Sequence, residues 1–287
     1  MHWKPERRMK LCSAHQFSGV TGYELGNGHF RRPLMTSMMY LAGDIMIDTG
    51  PPNMRNEALA AVSDKTISRI LLTHHHEDHS GNAAAIMRAK QVPAHGHAIT
   101  IEKMRTGFDI LPYQHIMWGK AERAGILPFP ESIDGSTCSL VPVHTPGHSR
   151  DHTAFFEKNK GWLFSGDLYL GSRVKYFRAD ERIDDTMNSI RKVLKLDFDS
   201  LFCAHNPRGK NGRAALAEKL DFLENFYGEI WRLIDGGYSD RAIIGRMTKG
   251  EVRLVKLFTL GNVSLERMVR EGIRAVGKQG GGAPATR

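Results

Sequence analysis

Residues 73–82 read THHHEDHSGN, which places four histidines and two acids in the six consecutive positions from His74 to His79. The segment follows a short Ile/Leu run, KTISRILLTH, and leads into SGNAAAIMRAK, which opens on a Ser in N-cap position and continues in good helix formers. It therefore occupies a loop between a strand and a helix. His74 and His76 are two residues apart on a chain leaving a strand, so both side chains can point to one side. Asp78 and His79 lie just beyond, where a turn can direct them to a neighbouring point. That separation suits two metal ions side by side better than one, since a tetrahedral zinc takes three or four N or O ligands at about 2.0–2.2 Å.

Three further loops offer the remaining ligands, each directly after an apolar, strand-like run: His148 in HTPGHS, Asp167 in FSGD and His205 in FCAHN. Cys12, Cys138 and Cys203 are odd in number, widely spaced and without a CxxC, which argues against a disulfide framework or a Cys-rich zinc site. Any metal must rely on His and carboxylate. Isolated histidines such as His2, His15, His29 and His95 are given no role.

The rest of the chain supplies a matching scaffold. LMTSMMYLAGDIMIDTG, residues 34–50, contains two apolar runs separated by Ala42-Gly43-Asp44 and reads as a hairpin. Strands are expected at CSLVPVHTPGH, GWLFSGD and DSLFCAH, with a helix at DDTMNSIRKVLKL carrying Met187, Ile190 and Leu194 on one face. Strands alternating with helices indicate an α/β core whose active loops sit at strand ends. Residues 96–132, rich in Met, aromatics and His (Met104, Phe108, Tyr113, His115, Met117, Trp118), interrupt the alternation and could cover a pocket, although such residues at helical spacing are more often simple core. From about Arg213 the pattern is amphipathic helix, with Leu216, Leu220, Leu223, Tyr227, Ile230 and Ile234 on one face, a stop at Gly236-Gly237, and two shorter helices at 239–248 and 264–277. The expected organisation is a catalytic domain over 1–212, a small helical domain over 213–277 and a disordered tail over 278–287.

With 287 residues and 41% hydrophobic content the chain can bury a large core. No apolar run approaches the ~18 residues that would span a bilayer, and the basic opening MHWKPERRMKLCSAHQ leads into no apolar segment, so a cytoplasmic protein with no membrane partner is expected. The net charge of +9 is uneven: +4 over residues 1–33, −1 over 34–205 and +6 over 206–287. Such an excess at the two ends is compatible with an anionic partner, although a solvated basic surface is the commoner reason.

THHHEDHSGN, HTPGHS, FSGD and the later AH, with IDTG upstream, resemble the ordered motif set of the metallo-β-lactamase superfamily over roughly residues 34–206. The resemblance implies a four-layer αβ/βα sandwich with metals at one edge of two sheets, followed here by a small C-terminal helical, winged-helix-like domain. Carried over by position, His74, His76 and His148 would hold a first metal, Asp78, His79 and His205 a second, and Asp167 would bridge them. Asp48 would steady the ligand loop. His75 should point elsewhere, and His144 and His152 would be structural partners. Two zinc ions are the implied cofactor, with iron or manganese accepting the same ligands. Asp78 would also orient a hydroxide for hydrolysis of an ester, thioester or phosphodiester.

Among the branches, the dedicated β-lactamases generally lack the bridging aspartate, and glyoxalase II has a Gly-rich continuation that LYLGSRVKYFRAD lacks. HTPGHSRDHTAFF, FSGDLYLG and DDTMNSIRKVLKLDFDSLFCAH are similar to the β-lactamase-like protein 2 branch, a hydrolase and single-stranded RNA endoribonuclease; FCAHNPRGKN departs from that branch around its histidine. Small-molecule or RNA substrates both fit, and a non-catalytic role in binding nucleic acid or a partner is disfavoured because all seven ligands are present. SRVKYFR, residues 172–178, follows Asp167 closely, so Arg173, Lys175 and Arg178 are expected near the metals, with Arg173 and Lys175 as contacts for an anionic substrate.

Overall fold

The structure, a computed structural model, describes residues 9–28 and 33–278; of the tail expected over 278–287, Lys278 ends a helix and the remainder lies outside the described residues. Seven strands lie side by side in chain order in a first sheet: β1 (Met9–Phe17), β2 (Val20–Gly28), β3 (Ser37–Ala42), β4 (Ile45–Ile47), β5 (Arg69–Leu71), β6 (Ala94–Gly96) and β7 (Leu127–Pro128). The first four pair antiparallel and β4 to β7 parallel. The hairpin read at Ala42-Gly43-Asp44 is β3–β4, with Gly43 in the left-handed region at φ 62°. The later strands are β8 (Ile133–Asp134), β9 (Ser139–His144), β10 (Thr153–Glu157), β11 (Trp162–Gly166), β12 (Phe177–Arg178), β13 (Ser200–Cys203) and β14 (Val263–Ser264). A second sheet has the order β13-β11-β10-β9-β8, and β12 pairs antiparallel with β14.

Period-two side-chain alternation divides each central strand between two cores. Tyr40 of β3 faces the space between the sheets with Phe155, Phe164 and Phe202. Its neighbours Met39 and Leu41 face outward against Met54, Ala58, Ile86 and Met104. On the other sheet, Leu163 and Leu201 turn away from that space toward Met187 and Ile190. The central strands β3, β4, β10 and β11 are buried on both faces, which explains why they read as nearly continuous apolar runs.

The helices that cover them are α1 (Arg55–Ala61), α2 (Glu77–Ser80), α3 (Ala83–Lys90), α4 (Ala98–Thr106), α5 (Pro112–Met117), α6 (Ile183–Val193), α7 (Gly212–Asp235), α8 (Asp240–Met247), α9 (Arg253–Phe258) and α10 (Leu265–Lys278). Helices lie on one side of the first sheet and on the far side of the second, giving the expected four layers with helices added at the C-terminus. One local expectation differs. Ser80 does not cap the helix after the histidines but ends the short α2, where its hydroxyl donates to the carbonyls of His75 and His76 at 2.7 and 3.1 Å. Asn82 precedes α3 instead, and its amide donates to the carbonyls of Thr49 and Pro51 rather than capping the helix.

The C-terminal helices share a core with the second sheet. Leu216, Leu223, Tyr227 and Ile230 of α7 and Met268 and Ala275 of α10 pack in one cluster with Leu163, Leu201, Met187 and Ile190. Removing α7 to α10 would expose that cluster at a cost on the order of 10 kcal/mol, comparable with the stability of an ordinary domain. A chain ending at Gly212 is therefore expected to lose the cooperative thermal transition of the full-length protein in circular dichroism. A fragment that is soluble and melts cooperatively near the full-length temperature would show the two parts to be independent.

Candidate metal centre

The polar residues of interest all follow strand ends: Asp48 after β4, His74 to His79 after β5, His148 after β9, Asp167 after β11 and His205 after β13. The loops converge because β4 and β5 run parallel, as do β11 and β13. Gly166 makes the turn before Asp167 at φ 46°, and a Cβ there would lie 2.6 Å from His152 Nε2. Only glycine serves this position without strain.

His74 Nε2 and His148 Nε2 lie 2.8 and 3.0 Å from His76 Nδ1. Asp78, His79 and His205 form a second set, with His205 Nε2 3.5 Å and His79 Nε2 3.7 Å from Asp78 Oδ2. Asp167 stands between the sets. Its Oδ1 is 3.3 Å from His79 Nε2 and 3.5 Å from His205 Nε2, while Oδ2 is 3.3 Å from His148 Nε2. The donor atoms of each set lie within 4.8 Å of one another.

Partners on the outer side determine which ring nitrogen points inward. His79 Nδ1 donates to Asp48 Oδ2 at 2.8 Å, His205 Nδ1 to the Thr36 carbonyl at 2.5 Å and His148 Nδ1 to Glu181 Oε1 at 2.9 Å. Thr73 Oγ1 donates to Asp48 Oδ2 at 2.8 Å, so its oxygen accepts from His74 Nδ1 at 3.0 Å. In each of these rings the proton sits outside and the Nε2 lone pair faces the centre, the usual arrangement for an imidazole metal ligand. Three ring nitrogens thus crowd together, two of them with their lone pairs turned inward and within 3.0 Å of His76 Nδ1, an arrangement that a shared cation satisfies. Burial adds to this, since His79 Nε2 and Asp167 Oδ1 are both enclosed and without hydrogen-bond partners among the described residues. The residues thus fit a metal ion.

Charge is arranged accordingly. Burial and the neighbouring imidazoles His79 and His148 hold His74 well below the usual histidine range, in its neutral, ligating form. Burial alone would lower His79 too, but Asp167, Asp78 and Asp48 raise it strongly. Asp167 shows the reverse: burial pushes its carboxyl up, and His79, His205 and His148 draw it well below the carboxylate range.

Asp48 holds the ligand loop from a left-handed backbone, φ 57°, with Oδ1 accepting from the Thr73 amide at 2.8 Å. His75 is directed away from both donor sets. Its Nδ1 donates to Asp151 Oδ2 at 2.9 Å, and Asp151 also accepts from the His75 amide and Thr100 Oγ1. His152 accepts the Asp167 amide at Nε2, 3.0 Å away, and donates from Nδ1 to the Thr145 carbonyl at 3.1 Å. Residues 96–132 close one side of the centre: Gln114 donates to Glu77 Oε1 at 2.7 Å, and the Trp118 ring lies 6.4 Å from that of His205. Arg173 and Lys175 are exposed and line a cavity of about 300 Å³ that reaches His148 and Asp167. Lys219 of α7 lines it as well, buried, with Nζ donating to the Leu168 carbonyl at 2.7 Å. Glu181, Asp151 and Lys219 were not anticipated. Asp151 lies inside HTPGHSRD and was within reach of the motif, whereas nothing local distinguishes Glu181 or Lys219 from surface residues.

Comparison with known proteins agrees with this geometry. Residues 31–205 match the family model of the metallo-beta-lactamase superfamily. The chain is 29% identical over 200 residues to a beta-lactamase-like protein 2 homolog of Caenorhabditis elegans, covering 66% of this chain and 56% of that protein. It is 30% identical over 179 residues to a hydroxyacylglutathione hydrolase of Aeromonas hydrophila, covering 62% of each. The chain thus spans under two thirds of the length of these relatives. A metallo-beta-lactamase family protein from Thermus thermophilus shares the fold with a TM-score of 0.63 at 17% identity, over 91% of this chain and 94% of that one. No described helix is long and apolar enough to cross a membrane.

Asp48→Asn keeps the side-chain shape but removes the charge facing His79 Nδ1. Metal affinity, measured by competition with a chromogenic chelator, is expected to fall about 10- to 100-fold. Unchanged affinity would show that Asp48 serves only the backbone of the loop.

Proposed function

We propose that this chain, which belongs to the metallo-β-lactamase superfamily, is a metal-dependent hydrolase holding two zinc ions and cleaving an ester, thioester or phosphodiester. The observation that carries this reading is Asp167, which turns one carboxylate oxygen to His79 and His205 and the other to His148. His74, His76 and His148 would hold one ion and Asp78, His79 and His205 the other. Bound there, the metals would supply a water nucleophile activated at neutral pH and Lewis acidity toward the bond under attack.

The protein's own groups do the rest. Asp78 Oδ2 lies 3.5 Å from His205 Nε2 and 3.7 Å from His79 Nε2, where its carboxylate would orient the attacking water and accept its proton. The backbone of Asp78 is held by Ser37, whose hydroxyl donates to the Asp78 carbonyl at 2.7 Å. The Trp118 ring, 6.4 Å from that of His205, is an apolar neighbour on that side of the centre. The cavity lined by Arg173 and Lys175 opens beside His148 and Asp167, where those cations would meet an anionic part of the substrate. A full donor set also weighs against a purely binding role, and zinc suits His and carboxylate ligands without cysteine.

Protein purified without chelator is expected to carry close to two transition-metal ions per chain by elemental analysis, and Asp167→Ala to lower that number. Asp78→Asn should cut turnover by ~10²–10⁴ while retaining more metal than activity. The substrate class is tested by a panel of thioester, lactone, bis(p-nitrophenyl) phosphate and single-stranded RNA on protein of measured metal content. No turnover of any member by fully loaded protein would refute the hydrolase reading.

Neutralising Arg173 and Lys175 together should raise KM for an anionic substrate about tenfold, with a neutral ester little affected. Equal changes in both would assign the pair to a solvated loop.

A further inference from the structure

Two cations on another side of the centre belong to neither donor set nor to the cavity of Arg173 and Lys175. Arg178 ends β12. Its Nε donates to Asp180 Oδ1 at 3.2 Å, and Asp180 Oδ2 lies 3.9 Å from His76 Nε2, so the guanidinium stands beside the His74, His76 and His148 group. The side chain is 22% exposed, and neither terminal nitrogen has an acceptor among the described residues. Lys103 of α4 approaches the same side. Its Nζ donates to His75 Nε2 at 2.7 Å, and the His75 ring lies 4.6 Å from that of His76. The remaining N–H groups of Lys103 likewise find no acceptor among the described residues.

Neither cation is placed there by chance flexibility. Asp151 fixes His75 through both its amide and Nδ1, so the nitrogen facing Lys103 is an acceptor held in position. Arg178 is paired with Val263 across the β12–β14 ladder, and the adjoining Asn262 accepts from the Tyr113 hydroxyl at 2.8 Å. The C-terminal segment and the 96–132 insertion thus meet behind Arg178 and aim it. Burial lowers Lys103 below its ordinary range, and Arg178 and Arg150 push in the same direction against Asp151 and Asp180. Asp180 offsets part of this charge through Arg178 Nε, and the terminal nitrogens of Arg178 and the spare N–H groups of Lys103, partly withdrawn from water and held by separate elements, remain open to an anion.

We propose that Arg178 and Lys103 form a cradle for an anionic group, a carboxylate or a phosphate, carried by the substrate close to its scissile bond. The proposal rests on the hydrolase reading and narrows its substrate class. Arg178 supplies the two terminal nitrogens that match a carboxylate or phosphate edge, and Lys103 supplies a point charge across from them. The favoured substrate is then an ester, thioester or phosphodiester with an anion near the cleaved bond.

The test uses full-length protein of measured metal content, as wild type, Lys103→Gln and Arg178→Gln. Binding of inorganic phosphate is followed by calorimetry. KM is compared for p-nitrophenyl acetate and the succinate half-ester of p-nitrophenol, which adds one carboxylate. The cradle requires each variant to weaken phosphate, or to raise KM for the half-ester, about tenfold or more, with metal content unchanged and KM for the acetate within about threefold of wild type. A phosphate effect alone would assign the cradle to phosphate, and a half-ester effect alone to carboxylate. Equal rises in KM for both esters with phosphate binding unchanged would overturn it. If the wild type cleaves neither ester, a loss of phosphate affinity in the variants still supports the cradle, and it is the hydrolase reading that fails. Should Arg178→Gln lose its metal or fail to fold, Lys103→Gln decides alone: unchanged phosphate affinity and KM there refute the cradle.

Discussion

Three carboxylates, Asp48, Asp78 and Asp167, are buried within one group of histidines, and the surrounding structure is organised by the positive charge they require. Burying an ionised carboxylate without compensation costs several kcal/mol even after relaxation. Here Asp48 is compensated by the Thr73 amide and by His79 Nδ1–H, while Asp167 faces the inward ring nitrogens of His79, His205 and His148. The outer partners Thr36, Thr73 and Glu181 put each ring proton outside, so the interior of the cluster is rich in acceptors and poor in donors. A cation resolves this, and loops from both sheets are needed to surround one.

The same requirement explains why so much of the site could be read from the sequence. Ligands have to leave strand ends at fixed offsets, so His74, His76, Asp78 and His79 are crowded into one loop and His148, Asp167 and His205 each follow an apolar run. The sheets were legible for a related reason, since strands buried on both faces leave short apolar blocks between turn residues. The residues that hold the ligands were less visible. Glu181 reaches His148 and Lys103 reaches His75 from positions far away in the chain, and a contact between distant segments leaves no local pattern. Ser80 misled for a different reason: a hydroxyl near a helix start has several backbone carbonyls in reach, and here it closes the histidine turn.

The C-terminal segment shows where periodicity stops being informative. Leu216, Leu223, Tyr227 and Ile230 do form one apolar stripe, as their spacing indicates. A stripe does not say what it packs against, and the pattern suits a self-contained bundle as well as a cover for a sheet. Its partners are α6 and the outer face of the second sheet. The short α9 and β14 had no amphipathic signature long enough to register, yet β14 pairs with β12 and so bears on the position of Arg178.

Charge placement gives the two basic groups different physical roles on the proposed reading. Arg173 and Lys175 are exposed, so their field reaches an approaching anion through solvent and is screened over a Debye length of about 8 Å at physiological ionic strength. Arg178 is mostly enclosed and tied to Asp180, and Lys103 is tied to His75, so their fields act at contact and are screened far less. Exposed cations mainly alter the rate of encounter, whereas enclosed, pre-aimed ones alter orientation once the substrate has arrived. A protein whose middle region, residues 34–205, carries a net charge of −1 could then still favour an anion, because the cations that would meet it stand outside the centre while Asp48, Asp78 and Asp167 are buried among the histidines.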